Sequence, residues 1–150
     1  MIQRIFALSL ASCFAIAISA SSDQPAVPST AVGKLTVVPV GLEKDRGNAM
    51  IHLARGEADF AGEGEPFRFA VVKVENKEAV AVFEDVPHGE YAIKIFHDEN
   101  TNQKLDTNFV GIPKEKYGSS NNVRAFGPPS YEDARFRFEE EATTIEIEMR

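Results

Sequence analysis

Short stretches in which apolar and polar residues alternate constrain the fold of this chain more than any other feature. In residues 91–97, Tyr91, Ile93 and Ile95 would share one face, and Lys94 lies on the opposite one. This period of two is that of a β-strand, in which successive side chains point to opposite sides. No segment shows a helix-length pattern of period 3.6 with capping residues. The sequence therefore predicts an all-β domain.

The strand-like segments are short and are joined mostly by tight turns, such as the one that contains Pro87 and Gly89. Many short strands with frequent turns are typical of an antiparallel sandwich of two sheets, of immunoglobulin or prealbumin type. A partly open barrel is the alternative. About seven strands are predicted, at residues 35–40, 48–54, 67–74, 79–83, 91–97, 135–139 and 144–149.

One connection, residues 98–133, is much longer than the usual connection of roughly 2 to 6 residues. It has no strong strand or helix pattern of its own. Long connections in compact domains are usually either functional or disordered. We expect one long ordered loop here, and we expect it to carry the function.

The first 20 residues have the layout of a signal peptide. Arg4 precedes an apolar stretch over residues 5–18, and Ala17, Ser19 and Ala20 are small residues that suit a cleavage site. The stretch is shorter than the roughly 20 residues of a transmembrane helix. We therefore expect a signal peptide at 1–20, a flexible lead-in at 21–33, a β-sandwich domain at 34–150, and an exported, periplasmic or extracellular protein.

Cys13 allows a second interpretation of the same segment. Residues 10–13, Leu-Ala-Ser-Cys, are similar to a bacterial lipobox, in which the cysteine is lipidated and anchors the protein to a membrane. The apolar stretch continues past Cys13, which favours the cleaved signal. A membrane partner is expected only if Cys13 is lipidated.

The charge balance excludes one class of partner. The chain has 23 acidic and 16 basic side chains and a net charge of -7. Binding to nucleic acid independently of sequence needs clustered lysine and arginine, and no such cluster is present. We expect an envelope protein or a glycan as partner, and no nucleic acid.

The start of the long connection has the spacing of a calcium-binding loop. The side chains of Asp98, Asn100, Asn102 and Asp106 would occupy positions 1, 3, 5 and 9, and the carbonyl of Lys104 position 7. These five residues are the candidate metal ligands, with calcium as the candidate ion. In the alternative interpretation the same side chains bond their own backbone in Asx-turns and bind no metal.

Two positions of the 98–109 loop depart from the calcium pattern. Position 6, where glycine adopts the left-handed conformation, is Gln103, and position 12, normally a bidentate glutamate, is Phe109. The affinity should therefore lie in the weak range of about 10⁻⁴ to 10⁻³ M. A missing carboxylate would have to come from Asp85, Glu115, Glu132 or Asp133.

The alternative function is a small metal-dependent or hydrolytic enzyme. It would use His97 with a nearby carboxylate, Asp98 or Glu115, and a serine such as Ser120. A transition-metal site would need His97 to meet another histidine, such as His52. Neither a Gly-x-Ser-x-Gly elbow nor an HExxH motif is present. We therefore expect a non-catalytic module with a binding or structural role in the cell envelope.

The segments that carry a family resemblance are Val86-Pro87-His88-Gly89-Glu90-Tyr91, His97-Asp98-Glu99-Asn100, Lys104-Leu105-Asp106-Thr107-Asn108, Gly111-Ile112-Pro113, Ser120-Asn121-Asn122 and Pro128-Pro129-Ser130-Tyr131. In these segments the chain resembles the exported bacterial proteins of the domain of unknown function 2141 family. The resemblance covers residues 34–149. It implies an exported β domain and no assigned activity.

Overall fold

The computed structural model describes residues 31–124 and 127–150. The predicted signal peptide, Cys13 and most of the predicted lead-in lie outside the described residues. The first strand begins at Val32, two residues before the predicted start of the domain. Within the described ranges, no helix has the length and apolar character needed to cross a membrane.

The elements follow one another with short helices only. In chain order they are β1 (Val32–Val40), β2 (Asn48–Ala54), α1 (Glu57–Ala61), β3 (Arg68–Lys73), β4 (Ala81–Pro87), β5 (Gly89–Asp98), β6 (Tyr117–Ser119), a 3₁₀ turn (Ser120–Asn122), α2 (Tyr131–Ala134), β7 (Phe136–Phe138) and β8 (Ala142–Glu148).

The strands form two packed sheets, which confirms the predicted all-β sandwich. The first sheet has the order β4-β1-β8, and the second has the order β3-β2-β5-β6, with β7 also paired to β5. The pairs are antiparallel except for β1 and β8, which run parallel. This exception is possible because the chain reaches β8 from β7 in the other sheet, and not through a hairpin with β1.

The predicted turn that contains Pro87 and Gly89 is shorter than the sequence indicated. β4 extends to Pro87 and β5 starts at Gly89, so that His88 alone separates a strand of the first sheet from a strand of the second. The hydroxyl of Tyr91 donates a hydrogen bond of 2.7 Å to the carbonyl of Pro87. This bond fixes the point where the chain changes sheets.

The alternation in β5 buries one face of the strand, as predicted. Tyr91, Ile93, Ile95 and His97 face the other sheet and are buried in the core. The opposite, outer face of β5 carries Lys94 and its neighbours at every second position. That outer face is the surface on which the long connection lies.

Three elements next to β5 were not predicted from the sequence: α1 and α2, which pack on the outer face, and β6, which extends the sheet beyond β5. The helices α1 and α2 pack there in a small second cluster of Ala54, Phe60, Ala92 and Ala134. β6 pairs with β5 further along the strand, where Ser119 lies opposite Lys94. The long connection is therefore folded onto the sheet instead of projecting from it.

Candidate functional site

Asp98 organises the predicted calcium loop from its buried end. The side chain is fully buried. Its Oδ1 accepts a hydrogen bond of 3.0 Å from the backbone N–H of Asn102, and its Oδ2 accepts one of 2.8 Å from that of Gln103. One carboxylate thus holds the following five residues in a closed turn.

The remaining predicted side chains converge at the same place. The Asn100 Oδ1 accepts a bond of 3.1 Å from the Asn102 N–H, and the Asn102 Oδ1 accepts one of 2.8 Å from the Lys104 N–H. The amide groups of Asn100 and Asn102 donate to the two carboxylate oxygens of Asp106, at 2.7 and 3.0 Å. The bonds from backbone N–H groups are those that the Asx-turn interpretation predicts. The bonds from the two amides to Asp106 join side chains, and both sets together bring the four candidate side chains to one place.

Glu115 closes the loop from the other side. It is 7% exposed, and its two oxygens accept hydrogen bonds of 2.9 Å from the backbone N–H groups of Glu99 and Asp106. The sequence offered Glu115 as a missing metal ligand, but its carboxylate instead joins the two ends of the loop. The side chain of Phe109 is 99% exposed and contributes no ligand.

The described part of the chain holds no group of three or more histidine, cysteine, aspartate or glutamate side chains arranged to bind a metal ion. A calcium ion at residues 98–106 would therefore rely on the carboxylates of Asp98 and Asp106. The other ligands would be amide and backbone oxygens, which calcium also accepts.

Gln103 adopts the left-handed conformation that position 6 requires, with a φ of 63°. For a residue with a Cβ this conformation costs roughly 1 to 2 kcal/mol. We expect Gln103→Gly to raise the free energy of unfolding by up to about 1 kcal/mol, because glycine removes the steric cost but gains backbone entropy when unfolded. Urea denaturation measures the change, and Gln103→Ala, which keeps the Cβ, should leave stability within about 0.5 kcal/mol. A destabilising glycine would contradict the expectation.

The turn between β1 and β2 packs against the start of the 98–106 loop. The guanidinium of Arg46 lies 2.8 Å from Glu99 Oε2 and, by this hydrogen bond, holds the pKa of Glu99 below its ordinary value. Gly47, at a φ of 72°, is so close that an added Cβ would lie 2.1 Å from the carbonyl oxygen of Asp98. The position of Asp98 thus depends on this distant turn.

His97 does not occupy a position where it could act on a substrate. It is fully buried on the core side of β5, and its Nε2 lies 2.7 Å from the carbonyl of Arg46. His52 lies on the outer face of β2, so the two histidines are on opposite sides of the sheet and do not form a metal site. Ser120, the candidate nucleophile, is buried and bonded to the backbone of Ile93 and Ala134. The catalytic arrangement around His97 is therefore not formed.

A groove lies between the outer face of the second sheet and the long connection, and sequence reasoning missed it. Its volume is about 660 Å³. Most of its lining is apolar, and the sheet forms the floor while the long connection forms the wall. The lining residues are Met50, His52, Phe69, Lys94, Ile95, Phe96, Leu105, Thr107, Gly111, Ile112, Pro113, Tyr117, Gly118, Gly127, Pro128 and Pro129.

A histidine–aspartate pair lies at one end of the groove. The Nε2 of His52 is 2.7 Å from Asp59 Oδ1, and Asp59 Oδ2 accepts the backbone N–H groups of Arg55 and Phe67. Burial raises the pKa of Asp59, but these hydrogen bonds outweigh it and hold the pKa below its ordinary value. Asp59 is therefore a fully engaged anion at neutral pH.

Lys94 lies beside this pair on the floor of the groove. Its Nζ donates to the carbonyl of Phe60 and lies 4.8 Å from the centre of the Phe60 ring. Burial lowers the pKa of Lys94, an effect that the charge of Asp59 opposes. The alternation in β5 placed Lys94 on the outer face, but no local signal showed that the long connection would enclose it.

The family described as "Uncharacterized protein conserved in bacteria (DUF2141)" matches residues 37–146. The chain belongs to this family. The matched region contains the 98–106 loop, Glu115 and every lining residue of the groove, so both candidate sites belong to the part of the chain that defines the DUF2141 family. No curated protein and no solved structure was found to match the chain.

Proposed function

We propose that this DUF2141 protein is an exported, non-catalytic binding module of the cell envelope, whose ligand lies in the groove on the second sheet. The observation that carries the proposal is the groove itself, an apolar cavity of about 660 Å³. Small-molecule sites typically measure roughly 300 to 1,000 Å³ and combine an apolar lining with a few polar groups.

The character of the lining favours an apolar ligand. Phe69 and Ile112 line the groove and are 47% and 60% exposed, which leaves apolar surface open to a partner. Lys94 and His52 supply the few polar groups. That the partner is a glycan or an envelope protein stays a prediction from the sequence. The groove instead favours a smaller, apolar molecule as the ligand.

We further propose that residues 98–106 form a weak calcium site that supports the wall of the groove. Asp98, Asn100, Asn102 and Asp106 converge there, and the next residues along the chain form the wall. A bound cation would neutralise the two carboxylates and could fix the loop further. The proposal rests on this convergence and on the spacing of the ligands.

A neutral, environment-sensitive dye such as Nile red tests the groove. We expect the dye to bind the protein and Phe69→Glu to weaken binding about tenfold, because a carboxylate in an apolar site is costly. Val82→Glu is the matched control, because Val82 is 50% exposed on an edge strand of the other sheet. Circular dichroism verifies that both variants fold. Equal loss in the two variants, or no dye binding by the wild type, would refute the groove as the binding site.

Thermal unfolding tests the calcium site. Tm is measured with excess chelator and then with about 10 mM calcium, which is roughly 10 to 100 times a dissociation constant of about 10⁻³ to 10⁻⁴ M. Binding then adds about 1.4 to 2.7 kcal/mol, so Tm should rise by several degrees. Asp106→Ala should abolish the rise, and magnesium should not reproduce it. An unchanged Tm at all calcium concentrations would leave the loop as a set of Asx-turns.

A further inference from the structure

The charge of Lys94 is not balanced within the groove. Of the described residues that line the groove, Lys94 is the one lysine or arginine, and none is an aspartate or glutamate. Among residues 31–124 and 127–150, Lys94 forms no salt bridge. The charge of Asp59 acts on Lys94 without a salt bridge between them, so the ammonium lies in an apolar groove with no carboxylate in contact with it. Such a group favours a ligand that carries one negative charge.

The nearest acid does not supply that charge as a partner. Both oxygens of Asp59 are already occupied, one by His52 and the other by the backbone of Arg55 and Phe67. The ammonium of Lys94 has three donors, and one of them is used by the carbonyl of Phe60. Two donors therefore remain for a ligand, a number that matches the two oxygens of a carboxylate.

Lys94 also lies at the boundary between two cavities. A smaller cavity of about 300 Å³ shares Lys94, Pro128 and Pro129 with the groove, and its lining includes Glu57. An anion in the smaller cavity would meet the carboxylate of Glu57, whereas the groove has no acidic lining residue. The anionic end of a ligand is therefore directed to the groove side of Lys94.

We propose that the groove binds a fatty acid, with the carboxylate on Lys94 and the alkyl chain against the apolar floor and wall. This inference rests on the proposed function and names the chemical class of its ligand. Met50, Phe96 and Leu105 are among the apolar lining residues that the alkyl chain would contact. Ile112 and Phe69 extend that surface to the open side of the groove, where the end of the chain would leave.

Competition with the bound dye tests this assignment, with dodecanoate and the uncharged dodecanol as probes of equal chain length. In the wild type we expect dodecanoate to displace Nile red at about tenfold lower concentration than dodecanol, the effect of one charge-assisted hydrogen bond. Lys94→Gln should make the two probes displace the dye at similar concentrations, and the ratio of these concentrations cancels any general change that the substitution makes in the groove. Lys94→Arg, which keeps the charge, should retain most of the preference.

The outcomes separate this inference from the proposed function. If dodecanol and dodecanoate compete equally in the wild type, the groove binds apolar ligands but the carboxylate assignment to Lys94 is overturned. If the preference for dodecanoate survives in Lys94→Gln, another cation recognises the acid and the assignment is likewise overturned. If the dye binds but neither probe displaces it, the fatty-acid assignment is overturned while the groove stands as a binding site. If the dye does not bind the wild type, the groove fails as a binding site.

Discussion

Gly47→Ala is expected to lower the free energy of unfolding by about 3 kcal/mol or more. Two costs add at this position. The φ of 72° is unfavourable for a residue with a Cβ, and the new Cβ would lie 2.1 Å from the carbonyl oxygen of Asp98 and 2.7 Å from the Cα of Glu99. Both neighbouring atoms are backbone, so relief requires the end of β5 to move.

Gly64→Ala is the matched control for this substitution. Gly64 has a φ of 92°, and an added Cβ would meet nothing within 4 Å. It therefore bears the conformational cost alone, about 1 kcal/mol. Urea denaturation of the two variants measures the difference. Similar losses in the two variants would show that the contact between Gly47 and Asp98 does not constrain the fold.

Asp98→Ala is expected to cost about 3 kcal/mol, because each hydrogen bond to a charged group contributes roughly 1.5 kcal/mol or more. The substitution leaves the N–H groups of Asn102 and Gln103 without their acceptor at the buried end of the loop. Amide hydrogen exchange of these two residues should accelerate more than that of the core strands. This local effect distinguishes the loop from a general loss of stability.

Asp106→Ala is the control within the same loop. The side chain of Asp106 accepts bonds from two exposed amide side chains, so its removal should cost about 1 kcal/mol or less. A loss as large as that of Asp98→Ala would contradict the assignment of Asp98 as the organising residue. Asp106→Ala is also the suitable variant for the calcium test. It removes a candidate ligand but leaves most of the loop's backbone hydrogen bonds in place.

The sequence predicted the strands that have a clear pattern of their own. The bounds of β2 agree with the prediction, and the faces of β5 and β8 are as the alternation indicates, with Ile147 buried and Glu146 exposed. β6 was missed because Tyr117, Gly118 and Ser119 have no strand pattern. They form a strand because β5 offers a partner, and Gly118 leaves room for the carbonyl of Glu148, which a Cβ would approach to 2.6 Å.

The two candidate sites also differ in how far the sequence could predict them. The loop could be predicted because Asp98, Asn100, Asn102 and Asp106 lie within nine residues, and their bonds run to backbone groups two to five residues away or to one another. The alternation in β5 places His97 on the same face as Tyr91, Ile93 and Ile95, and only the structure shows that this face is the core side of the sheet.

The sequence by itself determined which residues alternate, where the chain turns and which side chains of residues 98–106 meet, because these depend on interactions between near neighbours. Only the tertiary structure decided that Lys94, Phe69 and Ile112 line one groove, because they come from two strands and a distant part of the long connection. It also decided that Lys94 has no acidic partner there. An unbalanced charge is a property of the assembled surface, since it depends on every chain segment that packs around the residue.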